Sequence, residues 1–283
     1  MRNIGSRNAA RAHAAFTLVE LLVVMGVLFL LVSILLPSLQ SVRVRAKETR
    51  TWNLLKVVET GLESFFTDRV VGGDEYPVSK WDSGKGDPYG ETGKQYYGAQ
   101  TLVWAIAGAD LLGTPGCSDN DDLSSSGGLY TMSGDDPAHY RSGPYIDVSK
   151  ATIKAHGSLD PLHQVKDDKT SDKSYVILDD FSMPLLYYRA DMTKSGYARY
   201  DRNDNIGFVA DGYAGQATHV LEDQGTATDA GTGFLAFIRN PIITAGRPHN
   251  YDSYLLVAAG KDERYGTADD ITNFPLVGGK NYK

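Results

Sequence analysis

Residues 16–36, FTLVELLVVMGVLFLLVSILL, constrain this chain more than any other feature, because 21 consecutive residues carry a single charged side chain, Glu20. As a helix rising 1.5 Å per residue the run spans about 32 Å, close to the hydrocarbon thickness of a bilayer. A soluble core helix rarely stays apolar on every face over such a length. The run also exceeds the apolar region of a secretory signal, about 7–15 residues. It ends at Leu36-Pro37-Ser38 with no Ala-x-Ala pattern and leads straight into helical sequence. The expectation is a retained membrane-spanning segment.

Glu20 is the exception within it. An acid near the bilayer centre costs about 2.5–3.5 kcal/mol, and less towards the ends, so such residues persist where they find a partner. Two readings stand: an acid at the membrane edge that faces the headgroups, or an acid within the membrane that has a partner. Orientation is equally open on charge alone. Arg2, Arg7 and Arg11 precede the span and favour a cytoplasmic N-terminus, but Arg43, Arg45, Lys47 and Arg50 follow it closely.

Beyond Pro37 the pattern turns amphipathic. Leu55, Val58, Leu62 and Phe65 recur at spacings of three and four, with Trp52 and Phe66 beside them and Lys56, Glu59 and Glu63 between. One helix from Phe16 to about Phe66 is predicted, kinked at Pro37 by the lost backbone hydrogen bond. It ends where Val70-Val71-Gly72-Gly73 breaks the period. The organisation that follows is a basic leader (1–15), a transmembrane part (16–37), an amphipathic part (38–67) and a globular head (68–283). In the head, strands are expected at about 174–178, 185–190, 234–238 and 253–259, and a short helix near 99–111. Residues 113–144 and 191–233 read as loops, and no internal repeat is found. The fold class is α+β, with the long helix packed on an antiparallel β-sheet head.

The leader holds three Arg and no acid, so residues 16–283 keep 25 basic against 35 acidic side chains, a net −10. Such an acidic body argues against a nucleic-acid partner, since phosphate binding needs a basic footprint. The single cysteine, Cys117, excludes an intramolecular disulfide. It reads as an exposed residue of a Ser/Asp loop rather than a nucleophile.

The stretch Ala15-Phe16-Thr17-Leu18-Val19-Glu20-Leu21-Leu22-Val23-Val24 resembles the type IV prepilin cleavage motif. The resemblance implies that prepilin peptidase cuts between Ala15 and Phe16 and that the Phe16 amine is then methylated. Glu20 becomes the fifth mature residue and Pro37 the twenty-second, as in many members. Ala15 departs from the usual Gly. The basic leader matches, and the peptidase's position implies a single-pass inner-membrane protein with a cytoplasmic N-terminus and a periplasmic head. In assembled fibres of the family, Glu of one subunit is thought to pair with the N-terminal amine of its neighbour. Opposite charges attract strongly at low dielectric and are costly apart, so that pair would set axial register.

The head is similar to the major pseudopilins of type II secretion. Glu75-Tyr76-Pro77 resembles the Tyr-Pro that follows the long helix there. Asp179-Asp180-Phe181-Ser182-Met183-Pro184-Leu185-Leu186-Tyr187-Tyr188 resembles the family's Asp-Pro-Trp-Gly-x-Pro-x-x-Tyr, with Phe181 for Trp and Ser182 for Gly. Residues 254–274 resemble its last strand and calcium loop. Loops 113–144 and 191–233 have no counterpart.

Asp262, Asp269 and Asp270, around Gly266, are therefore candidate Ca²⁺ ligands; calcium takes six to eight oxygens, and a compact acidic loop supplies them. The alternative is an acidic turn, since Asp and Gly favour turns anyway. Asp201-Arg202-Asn203-Asp204-Asn205-Ile206-Gly207 imitates an EF-hand loop, but its Gly falls one residue late and no Glu follows at the required place. His156 and His163 lack zinc-site spacing. Ser158, Asp160 and His163 do not establish a triad, and no phosphate loop, nucleophile elbow or Cys-x-x-Cys occurs.

A structural rather than catalytic protein is expected, a pseudopilus subunit for type II secretion polymerised by a cytoplasmic ATPase. Its partners would be prepilin peptidase, identical subunits and other pseudopilins, the inner-membrane assembly platform and membrane lipid. The alternatives are a surface type IV pilin for adhesion, motility or DNA uptake, or a membrane-anchored enzyme or ligand-binding domain.

Overall fold

The computed structural model describes residues 17–68, 74–81, 93–115, 141–160, 164–165, 172–210, 219–228, 231–243 and 246–276. Ala15, Phe16, Cys117, His163, most of the loop 113–144 and the side chain of Pro37 lie outside them. The chain is mixed helix and sheet, and it divides into two compact units between Ala46 and Lys47.

Helix α1 (Leu18–Thr67) runs for 50 residues and continues through Pro37. In the first unit, every large apolar side chain from Leu18 to Leu36 is exposed, at 47–78%. Among the described residues this is the one helix long and apolar enough to cross a membrane.

In the second unit the character of α1 reverses. Leu55, Val58, Leu62 and Phe65, the stripe read from the sequence, are at most 4% exposed. They pack on α2 (Gly98–Ala107) and on one face of a three-stranded antiparallel sheet. The sheet comprises β7 (Leu186–Arg189), β8 (Tyr254–Ala258) and β9 (Ile271–Thr272) in that order. Leu186 is opposite Val257, and Ala258 is opposite Ile271. Alternation along β7 and β8 sends Tyr187, Tyr254 and Leu256 towards α1 and α2, and Leu186, Tyr188, Leu255 and Val257 to the other face. Both faces are covered, which is why β8 reads as a continuous apolar run.

Three two-stranded pairs surround this layer: β1 (Lys80–Trp81) with β2 (Tyr96–Tyr97), β3 (Thr114–Pro115) with β4 (Arg141–Ser142), and β5 (Ile153–Ala155) with β6 (Tyr175–Ile177). The head is thus less of a sheet than expected.

Two expectations are corrected. Residues 234–238 are not a strand; they fall in α4 (Gly233–Phe237) and its cap, Ile238. Phe234 and Ile238, four apart, are buried at 0% and 1%, while Leu235, Ala236 and Phe237 are half-buried, so the period is helical. Residues 191–233 are not a plain loop. Short 3-10 turns and α3 (Ile206–Val209) bring Tyr200, Phe208, Val209 and Leu221 onto the second face of the sheet.

Candidate functional site

Two places carry the residues singled out by sequence: the first turn of α1 and the loop between β8 and β9.

At the first turn, Thr17 is the N-cap and Glu20 the third helical residue. The Thr17 amide donates to Glu20 Oε2 at 3.0 Å, and the Glu20 amide donates to Thr17 Oγ1 at 3.2 Å. The Thr17 hydroxyl also donates to Glu20 Oε2, at 2.8 Å. This reciprocal arrangement is a capping box; it satisfies amides that have no partner inside the helix. Glu20 therefore has a structural role that neither sequence reading gave it. The signal was present as Thr-x-x-Glu ahead of an apolar run. The helix begins at Leu18, so the proposed Ala15–Phe16 bond precedes its first residue.

The β8–β9 loop is organised by its three aspartates. Asp269 Oδ2 accepts the amides of Lys261 (2.9 Å) and Asp262 (3.0 Å). Asp270 is 1% exposed; its Oδ2 accepts the Gly266 amide at 2.7 Å and its Oδ1 the Thr267 amide at 3.2 Å. Asp262 Oδ1 accepts the Arg264 amide at 2.9 Å. The Thr267 hydroxyl lies 2.8 Å from Asp269 Oδ1 and 3.1 Å from Asp270 Oδ1, so these two carboxylates converge. Burial raises the pKa of Asp270 well above the ordinary range. Burial, opposed by the Arg264 amide and aided by the charge of Asp269, also raises that of Asp262. The donor set is hard oxygen, which suits calcium. Many of these oxygens already accept backbone amides, and among the described residues no group of three or more His, Cys, Asp or Glu is gathered to hold a metal.

The turn that resembles the pseudopilin Asp-Pro-Trp-Gly has clear local logic. Asp179 is 4% exposed and its Oδ1 accepts the amides of Phe181 and Met183, both at 2.8 Å. Ser182 takes φ +71°, the left-handed conformation that glycine adopts without strain. The turn also grips α1. Arg50 pairs with Asp180, the Asp180 amide donates to Thr51 Oγ1 at 3.2 Å, and Lys47 Nζ lies 5.1 Å from the Phe181 ring centroid.

The EF-hand imitation is a structural staple. Asp201 caps a 3-10 turn, Asp204 accepts the Ser79 hydroxyl, and Asn205 bridges the start of α2 to β7. Asn205 Oδ1 accepts the Ala99 amide at 2.9 Å, and its Nδ2 donates to the Tyr187 carbonyl at 2.6 Å. His156 is buried, with Nε2 accepting the Val165 amide at 2.8 Å. Ser158 donates its hydroxyl to the Ala155 carbonyl at 2.7 Å.

Comparison of the chain with family models, with curated proteins and with solved structures finds no match.

Proposed function

We propose that the chain is a prepilin-like subunit, cut between Ala15 and Phe16 and assembled through α1 into a helical fibre of the type II secretion pseudopilus. The observation that carries this reading is the two-sided character of α1: bare and apolar from Leu18 to Leu36, then buried by Leu55, Val58, Leu62 and Phe65 in a head. A helix exposing that much apolar surface needs lipid or other copies of itself around it. One such segment serves first as the single-pass inner-membrane anchor and then as fibre core. The head would be periplasmic, and the partners would be the peptidase, identical and related subunits, the assembly platform and lipid. A pilin-like arrangement of the head belongs to the same proposal and is supported by the packing of α1 on an antiparallel sheet.

Calcium belongs to it too. Asp262, Asp269 and Asp270 would hold the ion, which would offset the mutual repulsion of their carboxylates and fix the β8–β9 connection. The convergence of Asp269 and Asp270 on Thr267 favours this. Without calcium the same loop is an amide-bound acidic turn.

Co-expression with a type II peptidase and assembly platform tests the reading. Fibres with the head on their outer surface are expected by electron microscopy of membrane preparations. A chain that is processed but never polymerises, or that stays anchored as a monomer, overturns it.

A further inference from the structure

Arg43, Arg45, Lys47 and Arg50 follow the apolar segment of α1 closely, and the head already engages two of them. Arg50 pairs with Asp180, and Lys47 Nζ lies 5.1 Å from the Phe181 ring centroid. Arg43 and Arg45 belong to the first unit, which ends at Ala46, and both are exposed. No Asp or Glu occurs between Leu21 and Ala46, and the next acid, Glu48, is only 5% exposed.

These two arginines flank an apolar stripe. At 3.6 residues per turn, Leu35, Leu39, Val42 and Ala46 fall within about 60° of one another around the helix, and Arg43 and Arg45 fall roughly 70–90° to either side of them. Leu39 and Val42 are 52% and 62% exposed, so the stripe continues the bare surface of the span past Pro37. At 1.5 Å per residue, Leu39 lies about 4.5 Å and Arg43 about 10 Å beyond Leu36 along the axis. The polar layer outside the hydrocarbon is about 5–8 Å deep on each side. Side chains on a helix lean towards its N-terminus, here back towards the bilayer, which brings the guanidinium groups within reach of that layer. An apolar stripe edged by arginines whose stems lie along it is the pattern of a helix seated at a lipid interface.

We propose that Arg43 and Arg45 bind the phosphates of anionic phospholipids in the leaflet where α1 leaves the bilayer, with Leu39 and Val42 resting at the headgroup boundary. The guanidinium fork fits a pair of phosphate oxygens and stays charged at any working pH. A lipid of net negative charge adds an attraction that a zwitterionic one lacks. A second copy is the poorer occupant. Parallel copies at one depth would set arginine beside arginine, with no carboxylate in the segment to relieve them. The contact fixes how deep α1 sits, with Leu36 at the edge of the hydrocarbon, and it is released when a subunit leaves the membrane for a fibre. It rests on the reading of α1 as a membrane span.

The test uses the full chain reconstituted in phosphatidylcholine bilayers that carry either spin-labelled phosphatidylglycerol or spin-labelled phosphatidylcholine. Electron paramagnetic resonance reads the fraction of each label slowed by contact with the protein. The unmutated chain is expected to hold phosphatidylglycerol several-fold more strongly than phosphatidylcholine at low salt. Arg43→Gln with Arg45→Gln should lose most of that preference, and Arg43→Lys with Arg45→Lys should keep most of it. The leader arginines are present in every chain, so the differences read Arg43 and Arg45 alone. A Gln pair that keeps the full preference overturns the site and leaves the membrane span intact. Loss of the preference in the Lys pair as well overturns it too, since charge is then not what the lipid meets. Ready disulfide dimers of Val42→Cys chains in a Cys117→Ser background, at low protein-to-lipid ratio, assign the stripe to a second copy and overturn it. No slowed lipid of either kind, with any chain, overturns the span together with the site.

Discussion

Thr17 and Glu20 cap each other at the start of α1, through amide-to-side-chain bonds of 3.0 and 3.2 Å in opposite directions. The carboxylate thus already serves its own helix before any neighbouring amine is considered. Loss of such a cap costs about 0.5–2 kcal/mol. Glu20→Ala removes both cap and charge, whereas Glu20→Gln keeps an oxygen for the Thr17 amide. If the charge pairs with a neighbour's Phe16 amine, both variants are processed and both lose most fibre yield. A Gln variant that assembles normally would assign Glu20 to capping alone.

The left-handed Ser182 gives a second prediction. A non-glycine residue there is strained by about 1–2 kcal/mol, while glycine loses about 0.4–1 kcal/mol through the unfolded chain. Ser182→Gly should therefore stabilise the head by about 0.5–1 kcal/mol. For a domain of this size that raises Tm by about 1–4 °C. Differential scanning calorimetry checks it, and a lowered Tm would contradict the turn geometry.

Buried acids set the pH dependence. Burial pushes the carboxyl of Asp204 up to about 7, against the opposing hydrogen bond from Ser79, and burial does the same for Asp179 against the Phe181 and Met183 amides. A folded pKa above the unfolded one, about 3.9, favours the folded state while the group is protonated. That stability is full below the unfolded value and is lost as pH rises through about 7. Tm should fall from pH 6.5 to 8, and Asp204→Asn should flatten part of the slope. Below 6.5 the buried His156 and His249, with pKa values lowered chiefly by burial, add a slope of opposite sign. A Tm that rises over pH 6.5–8, or a slope indifferent to Asp204→Asn, would contradict the burial.

Calcium is tested by melting. A ligand at a hundredfold excess over Kd stabilises the folded state by about 2.7 kcal/mol. Full-length protein in detergent should melt higher in calcium than in EGTA, and Asp269→Ala should abolish the difference. Because Asp269 also accepts the Lys261 and Asp262 amides, the variant should melt lower in EGTA too. Equal melting of the unmutated chain in both buffers, with no metal by calorimetry, would leave an acidic turn.

Sequence pattern revealed the parts of this fold whose partners lie at a fixed period. Leu55, Val58, Leu62 and Phe65 were legible because one helix face meets one core. The strands around Tyr187 and Leu256 were legible as apolar runs buried on both sides. Residues 191–233 were not, because Tyr200, Phe208 and Leu221 reach the sheet from turns that follow no period. The roles of Asn205 and Asp179 were hidden for a related reason: their hydrogen bonds join segments far apart in sequence or shape one turn. At the candidate site, Glu20 is conspicuous as a charge in an apolar run, and the Thr-x-x-Glu spacing that joins it to Thr17 is a local signal of the cap.

The processed N-terminus tests the central claim most directly. The chain should be expressed in cells that hold prepilin peptidase, extracted from membranes and analysed by intact-mass and N-terminal peptide mass spectrometry. The account predicts a chain that begins at Phe16 with a methylated amine. An intact Met1 terminus, or a terminus beyond Pro37, would contradict it.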